Sequence, residues 1–269
     1  MYLARGCHLW FFGFMEQIRC VVGGDSHMLC MGDGNEQEGP RHDLLFDDGH
    51  IVLTRLRPAT REEKFNGVYW REVAELAAGH TAALCWQGNQ HIVGGLFAVG
   101  AEYDVIVPGE TEPPLPGAVL VPHSVVIKWF DKTVGRLAGV LGSLRAAGVQ
   151  HLVVVATPPP KANHPDFLRV INRSKWFSGS ARRAGVEVTS LDGLTSLRSR
   201  YKLWRILQQR YAQIAADCGA SYVRHPEGVQ GEDGALLPMY GAGDISHANR
   251  AYGDLLRLDL VKHLRDVAA

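Results

Sequence analysis

One stretch near the start of the chain limits its fold more than any other: Ile18-Arg-Cys-Val-Val-Gly-Gly-Asp-Ser-His27. An apolar run rich in β-branched residues is followed at once by two glycines, and then by Asp25 and Ser26. This pattern predicts a buried strand that ends in a sharp turn, with a hydroxyl at the carboxyl end of the strand. Ligands bind at that edge in open α/β sheets. Ser26 is therefore a candidate nucleophile, provided that a base can reach it.

The rest of the chain alternates between patterns typical of strands and patterns typical of helices. Apolar runs predict further strands over residues 50–56, 81–86, 103–107, 151–156 and 221–224. Apolar residues at i, i+3 and i+4 predict helices over residues 68–78, 124–147 (with Ser124 as N-cap), 195–218 and 247–267. Residues 28–49 are predicted to be a short helix followed by a loop, and residues 57–67 a surface loop. Alternating strands and helices indicate a doubly wound α/β sheet with right-handed crossovers.

No internal repeat and no linker divides the sequence, so residues 1–269 are predicted to form one domain. Residues 1–16 contain an aromatic patch but no clear small-residue cleavage site. We interpret them as an N-terminal extension, or as the product of an upstream start codon with Met15 as the true start, rather than as a signal peptide. Five cysteines without any CxxC pair fit a reducing compartment, which predicts a cytoplasmic protein without a disulfide scaffold or a zinc site.

Composition argues against two classes of partner. Lysine plus arginine and aspartate plus glutamate number 28 each, so no net field favours nucleic acid or an anionic membrane. No apolar stretch reaches the ~20 residues that a membrane-spanning helix needs. At 269 residues and 46% hydrophobic, the chain can bury a full core. A small molecule is the expected class of partner.

The far end of the chain offers the base that Ser26 would need. A serine hydroxyl requires an imidazole to accept its proton and a carboxylate to orient that imidazole. Asp244 and His247 are three residues apart, just before the last helical segment, which lets both side chains face the same way. Asn89 follows the strand at 81–86, and its amide could stabilise an oxyanion together with the backbone N–H of Ser26. These residues predict acyl-transfer chemistry.

Each candidate also has a structural interpretation. Ser26 alone could be a helix N-cap, and Asp25 is expected to hold the turn through bonds to the backbone. His27 could line the site or be structural, and His91 could bind substrate or satisfy a contact in the core. The 12 histidines show no HxH or HExxH spacing, so no metal site is predicted. Phosphate-binding glycine motifs and the GxSxG elbow are also absent.

Gly24-Asp-Ser26 near one end and Asp244-x-x-His247 near the other resemble the SGNH (GDSL-type) hydrolase superfamily, in order and spacing over the whole chain. The resemblance implies a three-layer flavodoxin-like sandwich with a mainly parallel central sheet and no cofactor. It implies Ser26 as nucleophile, His247 as base and Asp244 as its orienter. The family's third motif, Gly-x-Asn-Asp, is replaced here by Gly88-Asn89-Gln90-His91.

That replacement leaves the oxyanion donors open in two respects. Either Asn89 or Gln90 could supply the amide, and asparagine is the donor in the family. A glycine N–H is also implied, for which Gly67 and Gly39 are both candidates. The function predicted from this resemblance is a serine esterase or deacylase that acts on a small-molecule or saccharide ester. Its alternatives are an O-acyltransferase that uses the same site and a non-catalytic binding protein that retains the fold.

Overall fold

The computed structural model describes residues 17–32, 41–65, 67–87 and 89–268. Eight strands occur in these ranges: β1 (Ile18–Gly24), β2 (His42–Asp47), β3 (Ile51–Leu56), β4 (Thr81–Cys85), β5 (Tyr103–Ile106), β6 (Val119–Pro122), β7 (His151–Val155) and β8 (Ser221–Val223). Six of them form a central sheet in the order β2-β3-β1-β4-β7-β8. All neighbours in it are parallel except β2, which pairs antiparallel with β3 at the edge. The five parallel strands follow the flavodoxin-like order.

Helices cover both faces of the sheet. In the described ranges they are α1 (Arg61–Phe65), α2 (Val68–Ala77), α3 (Gln90–Val93), α4 (His123–Val134), α5 (Arg136–Ala146), α6 (Asp166–Arg173), α7 (Lys175–Arg183), α8 (Leu197–Asp217) and α9 (Arg250–Ala268). One core cluster packs α2, α4, α5 and α8 against the sheet. A second cluster packs α9 and a 3₁₀ turn (Ser26–Met31) against the opposite face. The predicted three-layer α/β fold with a mainly parallel sheet is therefore confirmed.

The inner strands explain why their sequences are apolar without interruption. Neighbouring residues of a strand point to opposite faces, and here Val21 enters one core cluster while Val22 enters the other. Val154 and Val155 of β7 divide in the same way. Strands covered by helices on both faces need apolar residues at every position.

Strands β2 and β6 were not predicted. The loop predicted over residues 28–49 contains β2, whose sequence is charged at both ends and exposes Leu44 while burying Leu45. Such a mixed pattern suits an edge strand, and it hides the alternation that identifies inner strands. The predicted strand at 103–107 is real as β5, but it pairs with β6 in a separate two-stranded sheet.

The helix predictions were wrong in four places. The helix expected over 124–147 is divided at Gly135 into α4 and α5, and glycine is a weak helix former. Pro122, and not Ser124, stands at the N-cap position, because the proline fixes the extended backbone that precedes the first turn. The final helix begins at Arg250 rather than at 247. Helices α1, α3, α6 and α7 were not predicted; α6 and α7 pack into a third apolar cluster beside the sheet.

Two sequence expectations concern membranes and cysteines. Among the described residues, no helix combines the length and the apolar character needed to cross a bilayer. Cys20, Cys30, Cys85 and Cys218 are free thiols, and the first three are buried. The proposed N-terminal extension, residues 1–16, lies outside the described residues, as does Cys7.

Candidate active site

Ser26 lies at the point where the order of the parallel strands reverses, just beyond the end of β1. The last residue of that strand, Gly24, has a φ of 149°, and a Cβ built on it would lie 2.2 Å from the backbone oxygen of Cys85 in β4. Only glycine permits this approach. The N–H of Gly24 donates to the hydroxyl of Tyr69 at 2.6 Å. The glycine that precedes the Asp-Ser pair thus brings two strand ends together and turns the chain toward Ser26.

The 3₁₀ turn that begins at Ser26 is clamped from the other side by α9. A Cβ on Gly253 of α9 would lie only 1.8 Å from the backbone oxygen of Cys30, so the helix and the turn are in backbone contact. Met28 and Met31 of the turn are buried in the same cluster as Tyr252. The position of Ser26 is therefore set by β1 on one side and by α9 on the other.

Asp244 and His247 lie on a short looped hairpin that leads into α9. Two backbone bonds close it, from Ala242 N–H to the His247 oxygen and from Asn249 N–H to the Tyr240 oxygen. Within the loop, one carboxylate oxygen of Asp244 accepts the backbone N–H of His247 at 2.7 Å. These bonds fix the backbone between the acid and the imidazole, so that both side chains face the sheet edge.

Ser26, His247 and Asp244 are joined by hydrogen bonds through their side chains. His247 Nε2 lies 2.7 Å from Ser26 Oγ, across 221 positions of sequence. His247 Nδ1 lies 2.5 Å from Asp244 Oδ2. Ser26 and His247 are both half-buried, so a substrate can reach the hydroxyl. The arrangement can accept a proton from the serine and stabilise the imidazolium that results.

The charge of Asp244 is maintained by its partners. Burial would raise the pKa of this carboxyl, but the bonds from the His247 ring and backbone, together with the nearby Lys161 ammonium, hold the pKa well below its ordinary value. Lys161 Nζ donates to the backbone oxygens of Ala242 and Asp244 at 2.7 and 2.6 Å. Asp244 is therefore ionised at neutral pH, as an orienting carboxylate must be.

Asn89 lies at the end of β4, the strand beside β1, and begins α3. Its Oδ1 is 2.7 Å from Nε2 of His27, the residue that follows Ser26. The neighbouring Gln90 is engaged elsewhere: its amide nitrogen donates to the side chain of Gln87, and its oxygen accepts from Tyr211 at 3.5 Å. Of the two candidate amides, Asn89 is thus the one connected to the serine turn.

Two solved bacterial proteins are similar to this chain. A putative acylhydrolase from Bacteroides fragilis matches over 95% of this chain and 93% of its own, with 13% identity and a TM-score of 0.51. A GDSL-like lipase from Bacteroides thetaiotaomicron matches over 93% and 88%, with 13% identity and a TM-score of 0.48. No protein-family model and no curated protein matches the sequence. The chain shares the overall fold of the Bacteroides fragilis protein.

Three other predicted residues lie in the described part of the chain. Gly67 is the left-handed residue that precedes α2, with a φ of 79°. His91 is buried in α3, at 2% exposure, which favours a role in packing. Asp25 holds the turn as expected, since its carboxylate accepts the backbone N–H of Gln87 at 3.1 Å. Gly39, the other candidate for the glycine N–H, lies outside the described residues, as does Gly88, which we also expected to contribute to the oxyanion or substrate site.

Sequence analysis missed two lysines at the edge of the site. Lys64 of α1 forms an ion pair with Asp25, and Lys161 supports the Asp244 loop. Lys161 follows three prolines directly after β7, and a charged residue in a strand-end loop is a signal that could have identified it. A groove of about 950 Å³ between α2 and α5 opens beside Asp25, Lys64 and Gln87, with Trp70 and Trp86 along its wall.

Proposed function

We propose that this protein is a serine hydrolase that cleaves carboxylic esters of small molecules or saccharides through an acyl-serine intermediate. The observation that carries the proposal is the continuous hydrogen-bonded chain from Ser26 through His247 to Asp244, at 2.7 and 2.5 Å. In proteins a serine, an imidazole and a carboxylate in this order form a nucleophile with its base and orienter.

The proposed reaction has two halves. In the first, His247 Nε2 takes the proton of Ser26 as Oγ attacks the ester carbonyl, and the imidazolium is stabilised by Asp244. The imidazolium then gives that proton to the leaving alcohol, and the acyl group remains on Oγ. In the second half, water loses a proton to His247 and attacks the acyl carbon, which releases the acid and restores Ser26.

The negative charge that forms on the carbonyl oxygen needs donors near Ser26. The backbone N–H of Ser26 opens a 3₁₀ turn, and an N–H in that position has no partner within its own helix. The amide of Asn89 is the second proposed donor. A glycine N–H, implied by the family resemblance, is the third, and its two candidates are Gly67 and Gly39.

Covalent labelling tests this proposal most directly. A fluorophosphonate should label the wild-type protein at one site, found by peptide mass spectrometry at Ser26, and p-nitrophenyl acetate should be hydrolysed. Ser26→Ala should abolish both. Ser190→Ala is the matched control, because Ser190 is exposed and its hydroxyl donates to the side chain of Asp192. A Ser26→Ala protein that is still labelled and still active would refute the proposal.

Product analysis separates hydrolysis from transfer to a hydroxyl. With an ester substrate and an added polyol, a hydrolase releases the free acid, whereas an acyltransferase forms the new ester. A chain that keeps its hydrogen-bonded residues but shows neither labelling nor turnover would be a binding protein with this fold.

A further inference from the structure

His27 occupies an unusual position for a histidine that the proposed reaction does not use. It follows the nucleophile directly, yet its ring is 5% exposed. Its Nε2 lies 2.7 Å from Asn89 Oδ1, and its ring centroid lies 5.0 Å from that of His247. The buried ring of His27 thus contacts a proposed oxyanion donor, Asn89, and lies close to the proposed base, His247. Packing alone does not account for a polar ring in this position.

The protonation of this ring follows from its surroundings. Burial, reinforced by the neighbouring His247, lowers the pKa of His27 to about 3, so the imidazole is neutral at physiological pH. A neutral imidazole carries one N–H. Nδ1 is buried and has no hydrogen-bond partner among the described residues. Because a buried N–H without a partner is rarer than a buried acceptor without one, the hydrogen lies on Nε2 and is donated to Asn89.

We propose that His27 is a positioning residue that fixes the side-chain amide of Asn89 with its NH₂ group toward the ester oxygen. This inference rests on the proposed function. The oxygen and nitrogen of an amide are separate branches of a planar carbon, so when Oδ1 is held by His27, Nδ2 is directed to a different side. The reversed amide would present a carbonyl oxygen to the developing oxyanion and would repel it.

A neutral His27 also suits the charge changes of the reaction. His247 becomes an imidazolium when it takes the serine proton, and a second cation 5.0 Å away would disfavour that state. An uncharged donor orients Asn89 without this repulsion. His27 is therefore compatible with the imidazolium form of His247 only while His27 is buried and neutral.

Four variants test the proposal: His27→Gln, His27→Met, Asn89→Ala and the double variant His27→Met/Asn89→Ala. Glutamine keeps an N–H near the position of Nε2, whereas methionine fills the space without a donor. We expect His27→Met to lower kcat for p-nitrophenyl acetate by about 10- to 100-fold with little change in KM, because the effect is on a transition-state donor. His27→Gln should recover most of that loss.

The double variant distinguishes positioning from packing. If His27 acts through Asn89, the double variant should be no slower than Asn89→Ala alone, since the amide to be oriented is already gone. Losses that multiply, or a His27→Gln protein as slow as His27→Met, would overturn the inference. Melting temperatures check that each variant is folded, and His80→Gln, at the opposite end of the sheet, serves as the control substitution.

A measurement without any substrate separates this inference from the proposed function. Long-range ¹H–¹⁵N correlation of the wild-type imidazoles should show His27 as the Nε2–H form at neutral pH. The Nδ1–H form would overturn the inference even if the enzyme were active. Absence of labelling and turnover in a protein with the Nε2–H form would instead refute the proposed function.

Discussion

The ammonium of Lys161 lies 2.6 Å from the backbone oxygen of Asp244 and 3.5 Å from its carboxylate. Lys161 comes from the loop after β7, whereas Asp244 belongs to the hairpin before α9. The side chain is buried, which lowers its pKa, while the charge of Asp244 opposes that effect. Together with its bond to the backbone oxygen of Ala242, Lys161 ties the hairpin that carries the proposed acid and base to the loop after β7.

Replacing Lys161 by methionine should loosen that hairpin. The change leaves the backbone oxygens of Ala242 and Asp244 without their donor, at a cost of about 1–3 kcal/mol in the free energy of unfolding. We expect kcat to fall by roughly tenfold or more, because about 1.4 kcal/mol of misalignment already has that effect. Urea unfolding and p-nitrophenyl acetate kinetics measure both quantities. Lys132→Met, at an exposed position of α4, should change neither.

Asn89 and Gln90 should differ sharply when each is changed to alanine. Asn89→Ala removes a proposed oxyanion donor and should slow fluorophosphonate labelling and turnover by about 10²–10³-fold. Gln90→Ala should change the rate several-fold at most, because its amide is bonded to Gln87 rather than to the serine turn. Equal losses in the two variants would contradict this assignment of the donor.

Two glycine-to-alanine substitutions within helices should have opposite effects on stability. Gly253→Ala puts a Cβ 1.8 Å from the backbone oxygen of Cys30, so α9 must move away from the turn that carries Ser26. We expect lower stability and reduced labelling. Gly142→Ala in α5 meets nothing within 4 Å and should stabilise the protein by roughly 0.5–1 kcal/mol. Thermal denaturation of both variants checks the pair.

His27 should make the protein less stable in mild acid. Its pKa falls from 6.5 in the unfolded chain to about 3 on folding, so below pH 6.5 the unfolded chain binds a proton that the folded chain does not. Stability is therefore lost as the pH falls from 6.5 toward 3. Between about pH 7.5 and about pH 5, wild type should lose roughly 2 kcal/mol more than His27→Gln. Parallel urea titrations at the two pH values give the comparison, and equal losses would show that His27 is not buried as a neutral ring.

Sequence patterns were sufficient where both faces of an element are apolar or where one face is strictly periodic. Strands β1, β4 and β7 were predicted because burial on both faces leaves an unbroken apolar run in the sequence. Helices α2 and α8 were predicted because their buried residues recur with the helical period. The edge strand β2 and the outer helices α6 and α7 were missed because partial exposure allows polar residues at many positions. The apolar residues keep their helical spacing across Gly135, so the sequence did not indicate that the helix divides there.

For the site, the sequence by itself determined which residue types were available: a serine after a strand, a glycine that lets that strand turn, and an acid and a histidine three residues apart. Only the tertiary structure decided which side chains meet. Hydrogen bonds such as those from His27 to Asn89 and from Lys161 to the Asp244 loop join residues 62 and 83 positions apart. No local pattern encodes such a contact, because it depends on how the strands are ordered in the sheet and on which loops that order brings to the same edge.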